Sequence, residues 1–213
     1  MLSFFNLMIM KALKLLLVLA VVLPITTMGQ NNQEIRLTSP SEATKEIASA
    51  RGDLNDDGIE DVAGIFEDYV LTIILSDKEN SWQKPMFYKN ILFELPADVD
   101  DNSVSYSLVV TDDNCLAISV MLDYSMSGSY AVPTGTYIYR YQDGDFYLIS
   151  DTHTDLYANT GEEFSVINDY LKGKRCNVSL LADKNKNLKR KAKWSKIGKK
   201  PLHRLGEDKL TAE

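Results

Sequence analysis

Ten consecutive residues of this chain have side chains whose type and spacing suit a definite chemistry: Gly52-Asp53-Leu54-Asn55-Asp56-Asp57-Gly58-Ile59-Glu60-Asp61. Oxygen side chains stand at loop positions 1, 3, 5 and 9, namely Asp53, Asn55, Asp57 and Asp61. Gly58 at position 6 permits a sharp reversal, and the Ile59 carbonyl at position 7 can turn inward. Ca²⁺ takes roughly 6–8 oxygen ligands at about 2.3–2.6 Å, and alternate oxygens on one tight bend meet that demand. Mg²⁺ fits less well because it keeps several of its waters. The stretch contains no His or Cys, which argues against zinc or copper. The competing reading is a solvated acidic turn, since Asn-Asp-Asp-Gly is good turn chemistry without any ion. Against it stand five carboxylates within nine residues, Asp53, Asp56, Asp57, Glu60 and Asp61, whose mutual repulsion calls for a counter-ion. We expect Ca²⁺, in a structural role.

The register is not that of an EF-hand. That loop needs a bidentate Glu at position 12, where this chain has Gly64, and flanking helices, where Val62–Phe66 and Tyr69–Leu75 read as strands. The stretch resembles instead the strand–loop–strand calcium site of FG-GAP repeats, found in integrin α-chain propeller blades and in many exported bacterial proteins. Their pattern, G-D-x-N-x-D-G-x-x-D followed by apolar strand residues, is matched throughout Gly52 to Asp61. The resemblance implies Asp53, Asn55, Asp57 and Asp61 as side-chain ligands and Ile59 as the backbone ligand. A propeller needs several such repeats and this chain has one, so the likeness, confined to residues 48–75, implies an ion-clamped hairpin. More faintly, the rest resembles exported bacterial proteins that join one such loop to an aromatic hairpin and a T-G-E segment. Here these are Tyr139–Ile149 and Thr160-Gly161-Glu162. That family implies no activity.

Other chemistries are thinner. Asp151, His153 and Asp155 share one face of a strand, the pattern of an acid–base cluster or second metal site, or of a solvated salt pair. Cys115 and Cys176 would close 62 residues if bridged. Cys115 lies opposite Leu116, Ile118 and Val120, while Cys176 aligns with Val178 and Leu180, so we expect two separate buried thiols if both apolar sets face one core. Tyr124–Tyr130 is an aromatic loop suited to ligand contact or to packing on its own sheet. No G-x-S-x-G, H-E-x-x-H or phosphate-binding glycine loop is present, so the usual nucleophile, zinc-protease and nucleotide signatures are missing.

The elements that must position these groups read as β almost throughout. Tyr69–Leu75 and Ser103–Thr111 are rich in β-branched and aromatic residues, and Cys115–Leu122 alternates strictly, as a half-buried strand does. Asp143-Gly144 suits a type I′ hairpin turn, pairing Tyr141 with Phe146, Tyr139 with Leu148 and Ile138 with Ile149. Strands follow at Phe164–Asn168 and Arg175–Ala182, then a turn at Asp183–Asn187. Lys189, Lys191 and Lys193 alternate with Leu188, Ala192 and Trp194, a pattern that protects an edge strand. Ser39-Pro40-Ser41-Glu42 is an N-terminal helix signature, predicting a short helix over Pro40–Ile47, with an extended lead-in as the alternative. We expect a mainly β chain, an antiparallel meander of eight to ten strands closed as a sandwich or strongly twisted sheet, with at most that one helix.

Lys11 and Lys14, the apolar run Leu15–Leu23 and small residues at Thr27 and Gly29 describe a signal peptide over residues 1–29, cleaved before Gln30. The run is shorter than the roughly 20 residues that span a bilayer, although Leu2–Met10 leaves an uncleaved anchor open. Residues 30–213 then form a single periplasmic or secreted β-rich domain, with no stable membrane insertion after cleavage. Its charge is uneven: 10 Lys and Arg against 26 Asp and Glu from Gln30 to Ala182, but 11 against 4 in the basic segment 183–213. That segment reads as a solvated edge, so no nucleic acid partner is expected. The expectation is an exported, calcium-stabilised domain of non-enzymatic binding or envelope-interaction type, its partner an unidentified protein or glycan. The alternative is a small exported hydrolase drawing carboxylates from separate strands.

Overall fold

Strict alternation dictates the template strand of the larger sheet: Leu116, Ile118, Val120 and Leu122 are buried, while Ala117, Ser119 and Met121 are less so. A computed structural model describes residues 45–67, 69–76, 85–88, 104–122, 131–157 and 159–207, all within a compact unit, Ile35–Glu213. Among them are eleven strands and no helix. They are β1 (Glu46–Gly52), β2 (Asp61–Phe66), β3 (Leu71–Ile74), β4 (Met86–Tyr88), β5 (Val104–Val110), β6 (Cys115–Leu122), β7 (Ala131–Gln142), β8 (Asp145–Tyr157), β9 (Glu162–Asp169), β10 (Lys174–Ala182) and β11 (Leu188–Lys196).

The strands form two antiparallel meanders, β1-β2-β3-β4 and β11-β10-β9-β8-β7-β6-β5, neither closed into a barrel. The mainly β sandwich expected from the sequence is observed. Leu54, Ile65, Leu71, Ile73 and Leu75 from the small sheet and its loops pack with Leu108, Leu116, Ile118, Tyr137 and Phe146 from the large one. Each such fully buried side chain stabilises by about 1.5–3 kcal/mol. β2 and β3 are buried at every residue, so they read as unbroken apolar runs rather than alternating ones. Where β1 meets β5, Gly52 leaves room that no other residue would: a Cβ there would lie 2.8 Å from Val110 Cβ.

The strand count exceeds the expected eight to ten because β1 and the three-residue β4 carry little sequence signal. Glu46 and Ile47, placed at the end of an expected helix, lie in β1 instead, Glu46 opposite Phe66. The rest of that expected helix falls outside the described residues. Pairing with the buried β2 backbone, and packing of Ala48 and Ala50 on the core, outweigh the local capping signal.

The Asp143-Gly144 turn has both residues at positive φ, 51° and 82°, as type I′ requires. Tyr141 faces Phe146 and Tyr139 faces Leu148 as expected, but Ile138 faces Ser150, not Ile149. Ile149 is the extra residue of a β-bulge. One inserted residue inverts the inward–outward alternation beyond it, so Asp151 joins Tyr137 on the core-side face. The far end of the same sheet is different in kind. β11 is exposed at every residue, an edge strand armed with lysines as the alternation predicts. After β11 the chain returns to β8, where Leu148 donates its N–H to the His203 carbonyl and Leu205 donates to that of Phe146, burying Leu205.

Candidate functional site

The acidic loop closes the β1–β2 hairpin, with Gly52 opposite Asp61. Its side chains fold inward onto its own amides. Asp57 N–H donates to Asp53 Oδ1 at 3.1 Å and to Asn55 Oδ1 at 3.2 Å, and Gly58 N–H donates to Asp53 Oδ2 at 2.8 Å. Ile59 N–H donates to Asp57 Oδ1 at 2.8 Å. Asp56 and Gly58 take φ of 62° and 82°, the left-handed region that Asp tolerates and Gly prefers. Leu54 points the other way, into the core. On the outer side, Asn114 Nδ2 from the β5–β6 turn donates to Asp56 Oδ1 at 2.8 Å.

Asp61 anchors the arrangement. It is wholly buried, and its oxygens accept from Leu54 N–H and Ser76 N–H, each at 2.7 Å. Burial raises its pKa most, the Ser76 and Leu54 amides oppose this, and the Asp57 and Asp53 charges raise it further. Asp53, Asn55 and Asp57 are thus brought together around one short stretch of backbone, with Asp61 beside them at the mouth of the hairpin. Among the described residues no three His, Cys, Asp or Glu side chains are already grouped as a metal-holding set. The donor set fits a hard cation: its side-chain donors are all oxygens, and a carboxylate oxygen bound to one N–H keeps a lone pair for another partner.

A second cluster lies on the core-side face of the large sheet, beyond the bulge. Asp151 is buried; Asn168 Nδ2 donates to its Oδ1 at 2.6 Å and Tyr170 Oη donates to its Oδ2 at 2.5 Å. Arg175 Nε donates to Asn168 Oδ1 at 2.8 Å, so Asn168 links a buried anion to a cation it does not touch. His153 Nε2 lies 3.6 Å from Asp151 Oδ1, and its ring meets Tyr137 edge-on with centroids 5.5 Å apart. Burial first, then the hydrogen bond and charge of Asp151, push the Tyr170 hydroxyl well above the usual tyrosine range. Of the trio expected on this strand, Asp151 and His153 come together, while Asp155 is exposed at its outer end. Sequence reasoning missed Asn168 and Tyr170, which reach Asp151 from β9 and the turn after it. It also missed Arg175, which reaches Asn168 from β10, and Tyr137, which the bulge at Ile149 sets opposite Asp151.

Both cysteines are buried free thiols. The two separate buried thiols expected from the sequence are observed, but the condition attached to them, that the apolar neighbours of Cys176 share the face of Leu116, Ile118 and Val120, does not hold. Through the paired rows, Cys176 shares the face of Ile167, Thr152, Thr136 and Ser119, which is also the face of Cys115. Four strand spacings, about 19 Å, separate them, far beyond the roughly 7 Å limit for a bridge. The T-G-E segment forms the β8–β9 turn, where Glu162 N–H donates to Thr160 Oγ1 at 3.2 Å and Ala182 N–H to Glu162 Oε1 at 3.1 Å. The expected signal peptide, residues 1–29, and the expected aromatic loop, Tyr124–Tyr130, lie outside the described residues. No protein family, curated protein or solved structure matches the chain.

Proposed function

We propose that the chain is an exported β-domain whose acidic hairpin holds one structural Ca²⁺ and whose role is binding rather than catalysis. The single observation that carries the calcium reading is Asp61: a carboxylate with no access to water, crowded by Asp57 and Asp53, at a hairpin carrying the full oxygen register. Desolvating a charge amid like charges is costly, and a divalent cation held by Asp53, Asn55, Asp57, Asp61 and the Ile59 carbonyl offsets that cost. When bound, the ion supplies positive charge and cross-links the loop to the mouths of β2 and β3.

Export rests on the N-terminal pattern of Lys11, Lys14, Leu15–Leu23, Thr27 and Gly29. A binding role is supported by the commitments of the buried acid: both Asp151 oxygens already accept hydrogen bonds from Asn168 and Tyr170, the arrangement of a scaffold rather than of a proton donor in waiting. Thermal melting in millimolar calcium and in chelator tests the calcium reading. The unmutated protein melts higher with calcium, and Asp57→Ala removes the difference. Equal melting of the unmutated protein in both conditions contradicts the reading.

A further inference from the structure

The core-side face of the large sheet runs beyond the polar cluster to β11 in two parallel rows that lead into one cavity. By register the first row is Lys191, Ser179, Phe164, Asp155 and Pro133. The second is Lys193, Asn177, Val166, His153 and Gly135. Rows two residues apart on one face are separated by about 6.6–6.8 Å. A cavity of about 380 Å³ is lined by Pro133, His153, Asp155, Phe164, Val166 and Asn177 from these rows, and by their strand neighbours. Both rows end on exposed lysines. Among the described residues Lys189, paired with Asp183 at 3.1 Å, is the one lysine of β11 in an ion pair. Phe164 is 44% exposed and Tyr157 37%, and their rings meet edge-on at 6.0 Å beside the cavity.

We propose that this face binds an acidic oligosaccharide. The inference rests on the reading of the chain as a binding domain and names its ligand class. Each part of the surface sets one requirement. Asp155 accepts hydrogen bonds and repels anions, so the group entering the cavity must donate, as sugar hydroxyls do. Asn177 both donates and accepts. The exposed Phe164 and Tyr157 rings offer apolar area to the C–H face of a pyranose. Lys193, paired with the cavity-lining Asn177, and Lys191 in the neighbouring row require negative charge on the same ligand. That charge falls about three strand spacings, or roughly 14 Å, along the row from Asp155, a reach that an oligomer has and a single sugar lacks. A hydroxyl-rich chain carrying carboxylate or sulfate satisfies all of these. A bare phosphate chain carries no donor for Asp155. His153, braced by Asp151 and Tyr137, gives the cavity a fixed wall.

The test is calorimetric titration of the calcium-loaded protein at low salt. The ligands are a hyaluronan hexasaccharide (carboxylate only), a heparin hexasaccharide (carboxylate and sulfate), neutral chitohexaose and a single-stranded oligothymidylate. The substitutions K191E, K193E and D155A all fall on accessible side chains, and melting curves verify that the fold is kept. Binding of at least one acidic hexasaccharide, tighter than chitohexaose and weakened about tenfold by K191E plus K193E, supports the proposal. D155A gives the decisive sign. Losing a hydroxyl acceptor weakens binding several-fold, whereas losing a repulsive charge from a plain polyanion patch strengthens it. Strengthening by D155A, oligothymidylate binding as tightly as the sugars, equal affinity for chitohexaose, or no sugar binding each overturns the proposal and leaves the calcium reading intact. Cleavage of a bound hexasaccharide, seen as new reducing ends, supports the site and contradicts the non-enzymatic reading.

Discussion

The Ser76 N–H donates a 2.7 Å hydrogen bond to Oδ1 of Asp61, fifteen positions earlier in the chain, and Leu54 N–H holds the other oxygen at the same distance. One carboxylate therefore fastens the end of β3, the start of β2 and the entry of the acidic loop. Asp61→Asn keeps one acceptor oxygen but turns an NH₂ group toward the second amide, leaving a buried donor unpaired. We expect a loss of about 1–3 kcal/mol, measured by denaturant unfolding. An unchanged midpoint contradicts this role.

Tyr170 gives the fold an alkaline limit. Its hydroxyl pKa is raised by burial and by Asp151, so the folded state keeps the proton more tightly than the unfolded chain does. The resulting stability is complete below the unfolded value of about 10 and is lost as pH rises through the folded value. Tyr170→Phe also strips Asp151 Oδ2 of its donor, costing about 1–3 kcal/mol at pH 7. The gap between the unmutated protein and this variant should narrow as pH rises above 10. A gap that stays constant contradicts the assignment.

Gly52 is required by sterics at the junction of the two sheets. A methyl group there would press on Val110 Cβ and Cγ1 at 2.8 Å. Gly52→Ala should cost about 1–3 kcal/mol, and Val110→Ala in the same molecule should recover part of it through their direct contact. Strictly additive losses in the double-mutant cycle would show that the two positions do not meet.

The thiols behave as independent groups. Burial raises the pKa of Cys176, and both thiols are free and buried, so both should react with a thiol reagent only after unfolding. Reductant should leave the melting temperature unchanged, and a drop on reduction contradicts the free-thiol state.

The fold was legible where one period ran unbroken. Cys115–Leu122, the Asp143-Gly144 turn and the lysine alternation of β11 each follow from local rules that tertiary packing does not contradict. Legibility ended where a single residue changed the phase. Nothing in Leu148-Ile149-Ser150 marks Ile149 as a bulge, and without the bulge Asp151 would face away from Tyr137. The Asp151 cluster was therefore visible only as an alternating acid–imidazole pair, its partners Asn168, Tyr170 and Arg175 hidden in other strands and turns. The expected helix was carried too far for the opposite reason: its signal is purely local, whereas Glu46 and Ile47 belong to β1, which is held by its long-range pairing with β2. The acidic loop's internal bonds were the most readable part, because Asp53, Asn55 and Asp57 answer to amides within five positions, whereas the contacts of Ser76 with Asp61 and of Asn114 with Asp56 were not.

Equilibrium dialysis of the chelator-stripped protein against labelled calcium counts the ions that the acidic hairpin holds. One calcium per chain should be retained, with Asp57→Ala and Asp53→Ala each abolishing retention. Calcium stabilisation grows with saturation, reaching about 2.7 kcal/mol at one hundred times the dissociation constant. Retention of no calcium at millimolar concentration, or retention that survives both substitutions, would contradict the account.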